Sequence, residues 1–223
     1  MHNNNYFLVG LSCILIFIIL SIFLFALPSN LFSKYLLHID IQSYNYFSSI
    51  YLNAPFEFND FMVLLTLFGR EFFWPILLLL FFIFGGQSGR KAVAVTIISL
   101  IILIPVTSIS KDIFDRPRPS ENNSYSLLNK ETSFSYPSGH ASFVTGSVLS
   151  LLLAYKISNL RLSISLLLIL EASLVSFSRI YVGVHYPLDV LAGVLLGAGI
   201  SFLVVSQIKQ LEKIYSIIVK KNK

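Results

Sequence analysis

Tyr136-Pro137-Ser138-Gly139-His140 is followed by the apolar run ASFVTGSVLSLLLAY, residues 141–155. A polar stretch, 110–137, ends here and a hydrophobic segment begins. Ser138 suits a helix N-cap, and Gly139 lets a ligand approach the first backbone N–H groups. Ser138 to Tyr155 therefore reads as an apolar helix that opens at a polar loop. Working outward, the same alternation of long apolar runs and short polar joints fills the chain.

Composition agrees with that pattern. Hydrophobic residues make up 55% of the 223-residue sequence and charged residues only 12%, with a mean hydropathy of +0.76. These values exclude an ordinary soluble domain and point to a membrane protein. The length fits one domain, 1–223. The formal net charge of +5 comes largely from lysines at the C-terminus and in short joints. That placement reads as an orientation signal rather than a nucleic-acid surface. Cys13 is the single cysteine, so no intrachain disulfide can form.

Six apolar segments are long enough, or nearly so, to span a bilayer. They run Tyr6 to Leu27, Asp60 to Phe84, Ala92 to Ile109, Ser138 to Tyr155, Leu162 to Phe177 and Leu188 to Ser206. The first has no preceding Lys or Arg and no small-residue cleavage site, so it reads as a retained helix rather than a signal peptide. The connector 28–59 carries Phe32, Tyr35, Leu36 and Ile39 at helical spacing. It fits either an amphipathic helix on the membrane surface or a loop. Arg70 and Glu71 interrupt the second span, with Arg70 expected towards its outer end. Gly85 to Lys91 reads as a tight turn, and Pro105 as a kink.

An even number of spans puts both termini on one side. That side holds Arg90, Lys91, Lys156, Arg161 and the tail lysines. The other holds Lys34, Arg70, Lys111, Arg116, Arg118, Lys130 and Arg179, of which Lys111, Arg118 and Arg179 have a chemical reason to be there. The positive-inside rule then places the termini in the cytoplasm. The expected architecture is an all-α, six-transmembrane-helix bundle with an active site at one membrane face, the extracytoplasmic one.

Three polar clusters meet at that face. Lys111 to Pro119 ends in Arg-Pro-Arg-Pro, whose prolines keep Arg118 out of a helix. Its planar fork matches phosphate oxygens. Ser138-Gly139-His140 starts a helix, whose N-terminus favours anions. Ser178 to Asp189 places Pro187 at N1 of the last span, Tyr186 at its N-cap and Asp189 at N3. From there Asp189 can accept the ring N–H of His185 and leave the other nitrogen free for attack. Each cluster alone also fits an ordinary reading as interfacial charge or helix cap. Glu171, mid-way along the fifth span, belongs to none of them and reads as structural, protonated or hydrogen-bonded to a neighbouring helix.

Together the clusters resemble the type-2 phosphatidic-acid phosphatase superfamily. Its motifs K-x6-R-P, P-S-G-H and S-R-x5-H-x3-D are intact and in order within 111–189. The resemblance implies His185 as nucleophile forming a phosphohistidine, Asp189 orienting it, and His140 as general acid. It implies Lys111, Arg118, Ser138, Gly139 and Arg179 as phosphate ligands, with no metal and no cofactor. A membrane lipid phosphatase follows as the expectation, with a polyprenyl diphosphate as favoured substrate and phosphatidate or phosphatidylglycerophosphate as alternatives. A lipid-binding or transport protein and a vanadate-dependent haloperoxidase are further readings of the same motifs. Intact His140, His185 and Asp189 argue against the first, and the apolar spans against the second.

Overall fold

The computed structural model describes residues 2–119, 132–155 and 159–208. Among these residues the regular structure is all helical. α1, His2–Ser21, runs on into a π-helical turn, Ile22–Ala26. α2 is Leu31–Asn53. α3, Phe56–Phe68, joins α4, Trp74–Phe84, through a π-helical stretch, Gly69–Phe73. α5 is Gly86–Phe114, α6 is Gly139–Ala154, α7 is Asn159–Tyr181 and α8 is Pro187–Ser206.

Five helical segments are long and apolar enough to cross a membrane: Asn4–Ala26, Phe56–Phe84, Gly86–Phe114, Leu162–Tyr181 and Pro187–Ser206. α6 is shorter, at 16 residues. Their outward faces carry exposed Leu, Ile and Phe, among them Leu8, Leu15, Leu79, Ile101 and Leu167. In water such a surface would drive aggregation; in lipid it is the solvated face.

α8 is the axis. It packs against α6, α1 and α5, and α6 in turn packs against α5 and α7. Leu103, Val144, Leu151, Val175 and Leu196 fill the space between them. Close approach of α8 to α6 depends on two glycines. A Cβ on Gly193 would lie 2.5 Å from the Ser138 carbonyl oxygen, and one on Gly197 would lie 2.4 Å from that of Ser142. Small residues four apart let apolar helices pack without a hydrophobic driving force.

Several boundaries differ from the sequence reading. Residues 87–91 are not a turn. Gly86, at φ 60°, reverses the chain, and α5 starts there. α5 also carries through Pro105 to Phe114, so Lys111 stands on its last turn rather than in a loop. α7 likewise reaches Tyr181, which puts Arg179 on a helix. Arg70 lies near the middle of the Phe56–Phe84 segment, not towards its end. The connector is a helix, α2, started by Asn30, whose Oδ1 accepts the Phe32 N–H at 2.8 Å. Its polarity is inverted. Ser33, Asp40 and Tyr44 are buried, while Phe32, Tyr35 and Ile39 face outward and Leu36 packs on the core. Lys130, Lys156 and the tail lysines lie outside the described residues.

Candidate active site

The α7–α8 joint carries the centre of the site. Pro187 occupies the first turn of α8 and Tyr186 its N-cap position. Asp189 reaches back over the helix start, and its Oδ2 accepts the Tyr186 N–H at 2.9 Å. The same oxygen stands 3.5 Å from Nδ1 of His185. Ser135 Oγ fills the gap, donating to Asp189 Oδ2 and standing 3.2 Å from Nδ1. Nδ1 therefore faces the carboxylate and carries the ring proton, and Nε2 faces the opposite way. Arg118 Nη1 lies 3.2 Å from Nε2 and donates to the Val184 carbonyl at 2.9 Å. Arg118 is fixed on its other edge by the Ser133 carbonyl, at 2.7 Å from Nε.

His185 is buried. Burial above all, opposed by the Asp189 hydrogen bond and helped by Arg118, Arg179 and Lys111, lowers its pKa to about 3. The ring is thus neutral at physiological pH, with a lone pair on Nε2 beside a guanidinium. That is what a nitrogen nucleophile for an anionic phosphorus requires.

The other motif residues stand around this centre. Arg179 is buried, and its Nη1 donates to Thr66 Oγ1 at 2.7 Å. Lys111 reaches from α5 to the Phe134 carbonyl. His140 occupies the first turn of α6. Ser138 does hold the N-cap position of α6, but its side chain makes no capping hydrogen bond. Its Oγ is buried without a partner, because the backbone does the tying: Ser138 N–H donates to the Asp189 carbonyl at 2.9 Å. A buried hydroxyl left over at a helix N-terminus is suited to an anion. Tyr136 anchors this corner on α1 by stacking on Phe17 and sharing a 2.8 Å hydrogen bond with Ser21.

Three residues escaped the sequence reading. Arg116, taken there as topological charge, is buried and bridges Asp189 Oδ1 at 2.5 Å and Asp40 Oδ2 at 2.6 Å. It also lies over the Tyr186 ring, 4.2 Å from the centroid. Asp40, far away on α2, adds a 2.8 Å bond from the Leu188 N–H at the start of α8. Burial raises the Asp40 pKa, with Arg116 and that N–H pulling it back. Arg116 is itself held firmly charged, the two carboxylates outweighing its burial. Ser135 is the third. The only signal for Arg116 was its place in Arg-Pro-Arg-Pro, and nothing marked Asp40 or Ser135. Glu171, in contrast, does bond to a neighbouring helix: Trp74 Nε1 donates to its Oε2 at 3.2 Å.

Beside the centre lies a cavity of about 510 Å³ between the Phe56–Phe84 segment, α5 and α6. Arg70, Glu71, Lys111, Ser133 and Gly139 line it at one end, and Pro75, Leu103, Ile104 and Phe143 further along. Among the described residues, no group of three or more His, Cys, Asp or Glu is placed to hold a metal ion.

The sequence model of the PAP2 superfamily matches residues 89–213. The chain belongs to the PAP2 superfamily. As a member it is a phosphatase on membrane-spanning helices. An undecaprenyl-diphosphatase of Sulfolobus acidocaldarius is 44% identical over 70% of this chain and 74% of its own length. The fold is shared with a transmembrane PAP2 type phosphatidylglycerolphosphate phosphatase from Bacillus subtilis, at TM-score 0.65 and 24% identity, covering 92% of this chain and 96% of that one. LpxE of Aquifex aeolicus is similar at TM-score 0.54 and 25% identity, over 72% of this chain and 92% of that one.

Proposed function

We propose that this PAP2 protein is an integral-membrane phosphatase that removes the terminal phosphate from a polyprenyl diphosphate. The observation that carries the reading is a neutral histidine with its Nδ1 facing Asp189 and its Nε2 beside Arg118, next to a cavity that grades from cationic to apolar. Lys111 lies two turns along α5 from Leu103 and Ile104, a drop of about 11 Å at 1.5 Å per residue. An amphiphile seated there has its phosphates at Lys111 and Gly139 and its chain against Leu103, Ile104 and Phe143. The undecaprenyl-diphosphatase relative supports a polyprenyl chain.

In the first step His185 Nε2 attacks the terminal phosphorus, and a P–N bond forms as the bond to the bridging oxygen breaks. The electron pair stays on that oxygen, which leaves as polyprenyl phosphate with a proton available from His140. Water then attacks the phosphohistidine, the P–N bond breaks back onto Nε2, and inorganic phosphate departs. Arg118, Arg179, Lys111, Ser138 and the Gly139 N–H neutralise charge spread over the phosphoryl oxygens, which is the main task in phosphoryl transfer. Asp189 and Ser135 hold the Nδ1 proton so that Nε2 presents its lone pair.

The chain is a single membrane domain of six spans, α6 included. At 16 residues α6 covers about 24 Å, less than the ~30 Å hydrocarbon core, so its N-terminus and the site are recessed below the outer surface. Both termini lie in the cytoplasm, as Arg90 and Lys91 near the start of α5 support.

The test is phosphate release by purified protein in detergent with EDTA, on polyprenyl diphosphate, phosphatidate, phosphatidylglycerophosphate and a soluble phosphomonoester. Release from the diphosphate that vanishes in His185→Ala is the expected result. A preference for phosphatidate would move the substrate, and release undiminished in His185→Ala would end the mechanism.

A further inference from the structure

We propose that Arg70 forms a second phosphate subsite, which holds the lipid-side phosphate of a diphosphate and sets the preference for diphosphates over monophosphates. The inference rests on the phosphatase reading above and asks which part of the cavity reads the leaving group.

An arginine near the middle of an apolar, membrane-length helix is costly unless it faces a polar interior. Arg70 sits on the π-helical stretch Gly69–Phe73. A π-bulge shifts the helix register locally, often at functional sites. Here Gly69 packs against α7, where an added Cβ would meet Val175 at 2.3 Å, and Arg70 turns into the cavity between this segment, α5 and α6. Its Nε and Nη2 bond to Glu71. Nη1 points elsewhere, 3.9 Å from where a Cβ on Gly139 would be, with Lys111 Cε 3.8 Å from the same point. One face of a guanidinium and a lysine thus converge on the first turn of α6. Glu71 lines the same cavity, and its bond to the far edge of Arg70 fixes which edge remains for a ligand.

The position is on the leaving-group side. The cation in contact with His185 is Arg118, 3.2 Å from Nε2. Arg70 Nη1 stands instead at Gly139, the residue before His140 in the first turn of α6. An alkoxide leaving from a monophosphate needs a proton at once. A phosphate leaving from a diphosphate holds its charge at neutral pH far better, since its second pKa is about 6, so it depends less on the His140 proton and more on a cation. Arg70 beside His140 supplies that cation, with the apolar wall of Pro75, Leu103 and Ile104 directly beyond it for the chain.

The experiment compares wild type, Arg70→Gln, Arg70→Lys and His140→Gln on polyprenyl diphosphate and phosphatidate. We expect Arg70→Gln to lower kcat/KM on the diphosphate about tenfold or more, the worth of a charge-assisted hydrogen bond, and on phosphatidate less than about threefold. Arg70→Lys falls between, and His140→Gln reverses the ranking by hurting phosphatidate more. Equal losses on both lipids, or none, would overturn the subsite while leaving the phosphatase reading intact. No release from any lipid by the wild type would overturn both. A measurement on wild type alone guards against misfolding of the variants. A methylene-bridged polyprenyl diphosphonate should inhibit about tenfold more tightly than the matching monophosphonate, and equal inhibition counts against the subsite.

Discussion

At the residue scale the central fact is a run of buried charges, Asp40, Arg116 and Asp189, ending on His185. Arg116 is the counter-charge shared by both carboxylates, and removing one partner of a buried ion pair costs several kcal/mol. Arg116→Met should therefore lower stability by about 3–5 kcal/mol, read as a fall in the thermal midpoint in detergent. Arg116→Lys should recover little, since a point charge cannot fork between two carboxylates. Asp40→Asn keeps the shape and the Leu188 bond but frees Arg116 to pull on Asp189. We expect kcat to fall about tenfold, about 1.4 kcal/mol, with KM nearly unchanged. Parallel changes in both would argue against positioning through Asp189.

His185 also makes stability depend on pH. Its pKa is about 3 when folded and about 6.5 when unfolded. The unfolded chain therefore binds the extra proton between those values, and stability falls as pH drops from about 6.5 towards 3, by up to about 1.4 kcal/mol per pH unit. The thermal midpoint of wild type should fall relative to that of His185→Asn as pH drops through that window. Parallel curves would show that the ring is not held neutral.

At the element scale the fold turns on how closely α8 lies against α6. Gly197→Val would drive a side chain into the Ser142 carbonyl, 2.4 Å from the new Cβ. Overpacking of this kind costs about 1–3 kcal/mol or more, and here it also pushes Ser138 and His140 away from Asp189. Loss of both stability and activity is expected, where the same change at lipid-facing Leu191 should do little. Trp74 to Glu171 is a second inter-helix joint. Glu171→Gln retains an acceptor for the buried indole and should melt like wild type. Glu171→Leu strands that N–H and should cost about 1–3 kcal/mol, measured the same way.

At the scale of the whole molecule the question is sidedness. In a Cys13→Ser background, a single cysteine at Gln87 should react with an impermeant maleimide only after the cytoplasmic face is opened. One at Ser48 on α2 should react in intact cells. The reverse pattern would invert the topology and place the site in the cytoplasm.

Most of this protein was legible before folding was considered. Long apolar runs announce membrane helices because lipid leaves no other way to satisfy the backbone. The three motifs announce phosphate chemistry because cations, a helix N-terminus and a carboxylate-held histidine must appear as fixed residue types at fixed local spacings. Asp189 at N3 of α8 is such a local fact. What only the tertiary structure decided is what comes from a distance or from helix register. Asp40 meets Arg116 across 76 residues, and Ser135 meets Asp189 across 54. Arg70 lines the cavity from a π-helical stretch that shifts the helix register. No local pattern records such meetings, since they depend on how whole helices pack, and that is set by the glycines and apolar faces of helices elsewhere in the chain.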